Sequence, residues 1–186
     1  PDQIDEAIND LIKGNYSINK RTLLELHTEN NLFQNKNFAL NEVAIVKKDT
    51  SSMIKIDAYI NDEFLNTYWA DGLIVATPTG STGYSLSCGG PIIMPGTDNF
   101  VITPIAQHNL NVRPIVVDSN SVIKLKVEDR DKLALVTLDS CSRAFDSSVE
   151  LTIKKAKFTI NLIEPEGNTF SSTIRHKLMW GLDKRN

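Results

Sequence analysis

The run Leu73-Ile-Val-Ala76 constrains the fold more than any other part of this chain. Four consecutive apolar residues with no polar alternation leave no face for water, which suits a short strand buried on both faces. Such a strand needs partners on both edges and packing above and below. Asp71 sits just before it, and Thr77-Pro-Thr-Gly-Ser-Thr-Gly83 leads from it to Tyr84 and Leu86. Glycines in this loop permit close backbone approach, and Ser81 or Thr82 is placed to cap a helix running through Tyr84 and Leu86. A helix start of that kind is a seat for an anion or a nucleotide, although a plain turn has the same composition. The loop lacks the Lys of a P-loop, the G-x-G-x-x-G of a dinucleotide fold and the G-x-S-x-G of a hydrolase.

The rest of the chain supplies neighbours for that strand. Alternating or β-branched stretches predict strands over residues 22–27, 38–46, 53–60, 64–69, 100–105, 115–117, 122–127, 133–137, 150–155 and 157–163. Asn61-Asp62 reads as a hairpin turn because both residues tolerate positive φ, and 118–120 and 129–131 read as further turns. Strands at such short, regular intervals imply a mainly β, sandwich-like domain. Besides the helix through Tyr84 and Leu86, helices are expected near the ends. Residues 2–13 place Ile4, Ile8, Leu11 and Ile12 on one side, with Asp2 near the cap and Gly14 as the stop; residues 173–180 carry Ile174, Leu178 and Trp180 before Gly181. The chain opens on Pro1 without an initiator Met, as a piece of a longer protein or a proteolytically matured one would.

Composition narrows the partners. With 20 Lys and Arg against 23 Asp and Glu the formal charge is -3, so there is no broad positive footprint for nucleic acid or anionic membrane. No apolar run approaches the length of a membrane helix. Cys88 and Cys141 form neither a metal pair nor a disulfide framework, and reduced thiols in a cytoplasmic protein are the simplest account. His27, His108 and His176 have no ligand spacing for zinc. A Ser81, His108 and Asp71 triad has no support from order or context.

Three places can carry chemistry. Asn41-Glu42 sets an amide beside a carboxylate at a strand start, able to hold a sugar or a base, or simply to be solvated. Asp71 enters a buried strand and must find partners there or cap the turn at Gly72. His108 and Arg113 lie in a Pro-bracketed polar loop, where they either reach a phosphate or a neighbouring subunit, or serve an ordinary connection.

Taken in order, these stretches resemble the NAD kinase family from Arg21 to the end of the chain. Phe38-Ala-Leu-Asn-Glu42 is similar to the family's Asn-Glu motif, and Asp71-Gly-Leu-Ile-Val-Ala-Thr-Pro-Thr-Gly-Ser-Thr-Gly-Tyr84 to its long signature. Thr103-Pro104, His108, Leu110 and Arg113-Pro114 resemble a third block, and Lys177-Leu-Met-Trp-Gly181 the typical ending. The resemblance implies the β-rich (α+β) C-terminal domain of that fold, spanning 21–186 with 1–20 as an inter-domain remnant. It implies phosphorylation of the adenosine ribose 2′-hydroxyl of NAD to NADP, using ATP or a related donor and a divalent metal such as Mg2+, by a homodimer or homotetramer.

Carried over by residue, Asn41, Thr79, Thr82, Gly83 and Tyr84 would surround the adenosine half. Glu42 and Asp71 would lie near ribose and nicotinamide, Ser87 would line the same cleft, and His108 would approach from a neighbouring subunit. Three departures stand out. Gly83 occupies a place the family usually gives to alanine, and Ser140 follows Asp139 where glycine is common. The Gly-Gly-Asp-Gly loop, which carries the aspartate implicated in activating the acceptor hydroxyl, is absent, and it is expected in an α/β domain preceding Pro1. These residues alone are therefore expected to be inactive in phosphoryl transfer. A non-catalytic nucleotide-binding or oligomerisation module and a diacylglycerol-type lipid kinase are the alternative readings.

Overall fold

A computed structural model describes residues 4–48, 53–129, 132–165 and 169–179. The chain divides into two compact units, Thr22–Thr159 and a second made of Pro1–Arg21 with Ile160–Asn186.

Twelve strands occur among the described residues: β1 (Tyr16–His27), β2 (Phe38–Ala39), β3 (Glu42–Lys47), β4 (Ile54–Ile60), β5 (Glu63–Ala70), β6 (Gly72–Ala76), β7 (Asn99–Ile105), β8 (Ile115–Asp118), β9 (Ile123–Glu128), β10 (Leu133–Leu138), β11 (Cys141–Asp146) and β12 (Leu151–Pro165). They form two six-stranded sheets, in the orders β2-β1-β12-β9-β4-β5 and β11-β10-β3-β6-β7-β8. The far ends of β1 and β12 belong to the second unit. Alternating side chains from both sheets meet in one apolar core. Ile54, Ile56, Tyr68, Ile123, Leu125 and Leu151 come from the first sheet, and Val43, Ile45, Leu73, Val75, Phe100 and Val136 from the second. The expected β sandwich is thus the architecture found.

β6 is the strand buried on both faces, and all five of its residues are buried. Leu73 and Val75 point into the inter-sheet core, while Ile74 and Ala76 join Ala44, Val101, Ile105 and Ile93 on the other face. Its edges are paired with β3 and β7. The Asn61-Asp62 turn also forms as expected, with φ of 52° and 68°. Asn61 Oδ1 accepts from the Val122 N–H at 2.9 Å, tying this hairpin to the entry of β9.

Several boundaries differ from the sequence reading. β1 begins at Tyr16 rather than at residue 22, because Asn19 and Arg21, polar in sequence, both donate to Glu164 at 2.9 Å. Residues 38–46 are two strands, interrupted at Leu40-Asn41. β11 has no counterpart in the reading, since Phe145 is its one buried residue and no apolar alternation marks it. Residues 151–165 form a single strand. Its inward positions change from odd at Ile153 to even at Ala156, so the pattern reads as two segments.

In the second unit, α1 (Ile4–Lys13) ends at Gly14 with φ of 76°, and Ile4, Ile8, Leu11 and Ile12 are exposed. The last helix, Phe170–Leu178, starts in a Thr169/Ser172 capping box and stops at Met179 in the left-handed region. Asp2, Arg130, Asp131, Trp180 and Gly181, also part of the sequence reading, lie outside the described residues.

Phe100 is fully buried between the sheets. Phe100→Ala is expected to cost about 3–5 kcal/mol, read as a fall in the urea midpoint at unchanged m-value.

Candidate functional site

The site grows from the two ends of β6. Register pairs Glu42 with Ala76 and Val46 with Gly72, so Asn41-Glu42 sits beside the exit of β6 and Lys47 beside its entry. A strand of five residues separates these ends by about 16 Å.

At the exit, backbone polarity is matched group by group. The Thr77 N–H donates to the Asn41 carbonyl at 2.9 Å, and Thr77 Oγ1 donates to the Leu40 carbonyl at 2.6 Å. The Gly80 N–H then donates to Thr77 Oγ1 at 3.1 Å. Gly80 packs so closely here that a Cβ would overlap the backbone carbonyl of Asn41. The 77–83 loop is therefore pressed onto Asn41-Glu42, and a Cβ on Gly83 would lie 3.8 Å from Glu42 Oε2. With 3.3 Å to the Gly80 carbonyl as its shortest approach and φ of -101°, an alanine at 83 would need only a small adjustment.

The expected helix through Tyr84 and Leu86 forms, but neither Ser81 nor Thr82 caps it. Ser81 is buried, donating to the Pro78 carbonyl at 2.7 Å and accepting from the Ile93 N–H at 2.9 Å, which anchors the loop to the segment covering β6. Residues 80–82 make a single 3-10 turn, and the following helix, α2 (Tyr84–Ser87), has Gly83 as its N-cap with no side-chain cap. Four residues give too little aligned dipole for an anion seat. α2 is held down instead by a 2.8 Å contact between the Ser85 and Thr103 hydroxyls, both buried.

At the entry of β6, Asp71 continues the ladder through its backbone. Its N–H donates to the Ile105 carbonyl and its carbonyl accepts from the Lys47 N–H, both at 2.9 Å. Its carboxylate pairs with Lys47 Nζ at 2.6 Å while remaining partly exposed. The acid thus finds the partner that the buried strand demanded, one that the sequence reading did not name. His108 is tethered to the same end by its N–H to the Trp69 carbonyl at 2.9 Å, with its side chain exposed. Arg113 closes its own loop by donating to the carbonyls of Leu110 and Val112 at 2.5 and 2.8 Å, rather than reaching outward.

Asn41, Glu42, Thr79, Thr82 and Gly83 thus gather at one end of β6, and Asp71 and His108 at the other. Tyr84 joins them: its hydroxyl pKa is raised by burial, then by Cys88 and by the charge of Asp71, while the residue remains 43% exposed. Ser87 is exposed on α2, one turn beyond Gly83. The residue that sequence reasoning passed over is Asp139, in the turn between β10 and β11. Its carboxylate accepts the N–H groups of Leu40, Asn41 and Glu42 at 2.9, 2.8 and 3.1 Å. The signal was the Asp-Ser turn itself, legible only if β11 is recognised as its second strand. Among the described residues no group of three His, Cys, Asp or Glu is placed to hold a metal ion.

Glu42 is half-buried, and its carboxyl pKa is raised by burial first and by the charge of Asp139 second.

Residues 40–164 match the family model described as the ATP-NAD kinase C-terminal domain. The NAD kinases of Cytophaga hutchinsonii and Flavobacterium psychrophilum are 49% and 52% identical over 100% of this chain, which covers 63% and 64% of their own lengths. The chain thus spans less than two thirds of the curated relatives it matches. Among solved structures, yeast NADH kinase complexed with NADH shares the fold with a TM-score of 0.88 at 24% identity, covering 99% of this chain and 56% of that one. An NAD kinase from Archaeoglobus fulgidus in complex with ATP has a TM-score of 0.74 at 28% identity, covering 87% of this chain and 60% of that one.

Raising the pKa of a folded-state carboxyl means that the native state holds the proton more tightly than the unfolded chain. Stability is therefore lost as pH rises from the unfolded pKa through the raised one. Glu42→Gln removes that loss. Its Tm is expected to equal or exceed the parent's at pH 7, and the advantage is expected to vanish below about pH 4, where Glu42 is protonated in both states. Thermal unfolding across this pH range measures it.

Proposed function

The chain belongs to the ATP-NAD kinase C-terminal domain family, and from that premise we propose that it forms the NAD-binding part of an enzyme that phosphorylates the adenosine ribose 2′-hydroxyl of NAD. The observation that carries this reading is the apposition of Asn41-Glu42 with the 79–84 loop across the exit of β6. An amide offers both a donor and an acceptor to a base edge, and a carboxylate accepts from sugar hydroxyls. Glu42 carries its charge in a partly desolvated place, a cost that ligand hydroxyls offset when they donate to it. Asn41, Thr79, Thr82 and Gly83 then surround the adenosine, with the exposed ring of Tyr84 as a stacking surface.

Asp71 stands about a strand's length away, so a ligand reaching both ends must be extended, as a dinucleotide is. In this reading Asp71 and Glu42 orient ribose and nicotinamide hydroxyls, Ser87 lines the cleft, and His108 serves a neighbouring copy in a homodimer or homotetramer. We place the protein in the cytoplasm, where the free thiols of Cys88 and Cys141 stay reduced.

Phosphoryl transfer needs a positioned donor and screening of the developing charge. No Gly-Gly-Asp-Gly loop occurs in residues 1–186, and among the described residues no group of three His, Cys, Asp or Glu is placed to hold a metal ion, so transfer from ATP, with its divalent metal, is assigned to the whole protein. The names of the matched relatives favour neither the lipid-kinase reading nor a purely structural module.

Calorimetric titration of the chain with NAD is expected to give a saturable heat, whereas incubation with NAD, ATP and Mg2+ is expected to give no NADP above a no-enzyme control. Absence of a saturable heat, or NADP formation by these residues alone, overturns the respective half of the reading. Asp71→Asn is expected to weaken NAD binding about tenfold, through loss of one charged hydrogen-bond acceptor. An unchanged Kd removes Asp71 from the site.

A further inference from the structure

Three consecutive amides, those of Leu40, Asn41 and Glu42, converge on the single carboxylate of Asp139, while the Asp139 N–H donates back to the Glu42 carbonyl at 3.1 Å. Successive N–H groups turned to one side form an anion-binding concavity, and here the anion is part of the chain. The opposite side of the same segment faces Thr77. The Leu40 and Asn41 carbonyls accept from Thr77 Oγ1 and Thr77 N–H, and Thr77 Oγ1 accepts in turn from Gly80. Hydrogen bonds in such a chain polarise one another. Resting on the reading that this cleft binds NAD, we infer that Asp139 is a positioning residue. Its carboxylate sets the Asn41-Glu42 segment, and through Thr77 the 79–84 loop, at the spacing NAD requires.

Three features support the inference. Leu40 and Asn41 lie where the chain passes from β2 in the first sheet to β3 in the second, outside both ladders, and the Asp139 carboxylate is the acceptor that holds their N–H groups there. The turn itself does not need the acid, since φ of 50° at Asp139 is met as well by glycine. The charge of Asp139 also reaches the site directly, because it helps raise the Glu42 pKa.

That separation of roles supplies the test. In the 186-residue chain, Asp139→Gly keeps the left-handed turn and removes the carboxylate, and Asp139→Asn keeps one accepting oxygen. Leu125→Ala, buried in the other sheet, serves as a control for general destabilisation. Asp139→Gly is expected to raise the Kd for NAD at least tenfold and to speed amide hydrogen exchange at Gly80, which Asp139 does not touch. Asp139→Asn is expected to fall between Asp139→Gly and the parent in both readouts, and carries the test if the glycine variant does not fold. Leu125→Ala is expected to lower Tm while leaving Kd within twofold. Unchanged Gly80 exchange in the Asp139 variants overturns the inference, as does a Kd within twofold of the parent or an equal loss in Leu125→Ala. If the parent chain binds no NAD, the functional reading falls, and Gly80 exchange alone decides whether Asp139 positions the cleft.

Discussion

A strand with no face toward water can satisfy its peptide groups only through its two neighbours and its side chains only through two layers of packing. β6 is that strand, and the rest of the second sheet is arranged to meet its needs. β3 and β7 complete its ladder, the inter-sheet core covers one face, and the segment carrying Ile93 and Cys88 covers the other. Gly72 belongs to the same constraint, since a Cβ there would strike the Ile45 carbonyl of β3. Because the pairing is antiparallel, the start of β3 is brought to the end of β6, which places Asn41-Glu42 beside the loop leaving it.

The main chain of the candidate site is held from behind by polar side chains. Thr77, Asp139, Ser81 and the Ser85–Thr103 pair do this anchoring, while Asp71 keeps its own ion pair with Lys47. This division suits a binding surface, where polar side chains must stay available while the main chain that carries them stays still. One feature runs against stability: Glu42 keeps its carboxyl half-buried within reach of the charge of Asp139. Carboxyls perturbed by burial and a neighbouring charge cluster at functional sites.

Most strands were legible because one face of each is buried and the other is not, so Ile54, Ile56 and Ala58, or Ile123, Leu125 and Val127, alternate in the residue string as they do in space. Legibility failed where that physical basis was missing. β11 buries only Phe145, and β12 changes phase at Ala156. The break at Leu40-Asn41 is where the chain crosses from one sheet to the other, and the amide of Asn41 is taken up by a carboxylate 98 residues downstream. The site followed the same rule. Asn41, Glu42 and the 79–84 loop were found through resemblance to a family, whereas the partners Lys47 for Asp71 and Asp139 for Asn41 were not, since nothing local marks them.

By itself the sequence determined that this is a mainly β chain with a strand buried on both faces at Leu73–Ala76, turns at Asn61-Asp62 and Asp118–Asn120, and the motifs of one enzyme family, because periodicity, turn chemistry and motif order are properties of neighbouring residues. Tertiary structure alone decided which side chains come together. Register brought Glu42 to Ala76 and separated it from Asp71, packing pressed Gly80 onto Asn41, and the β10–β11 turn delivered Asp139 to three amides. Such contacts join residues far apart in the chain, and their geometry exists only once both sheets have closed over a common core.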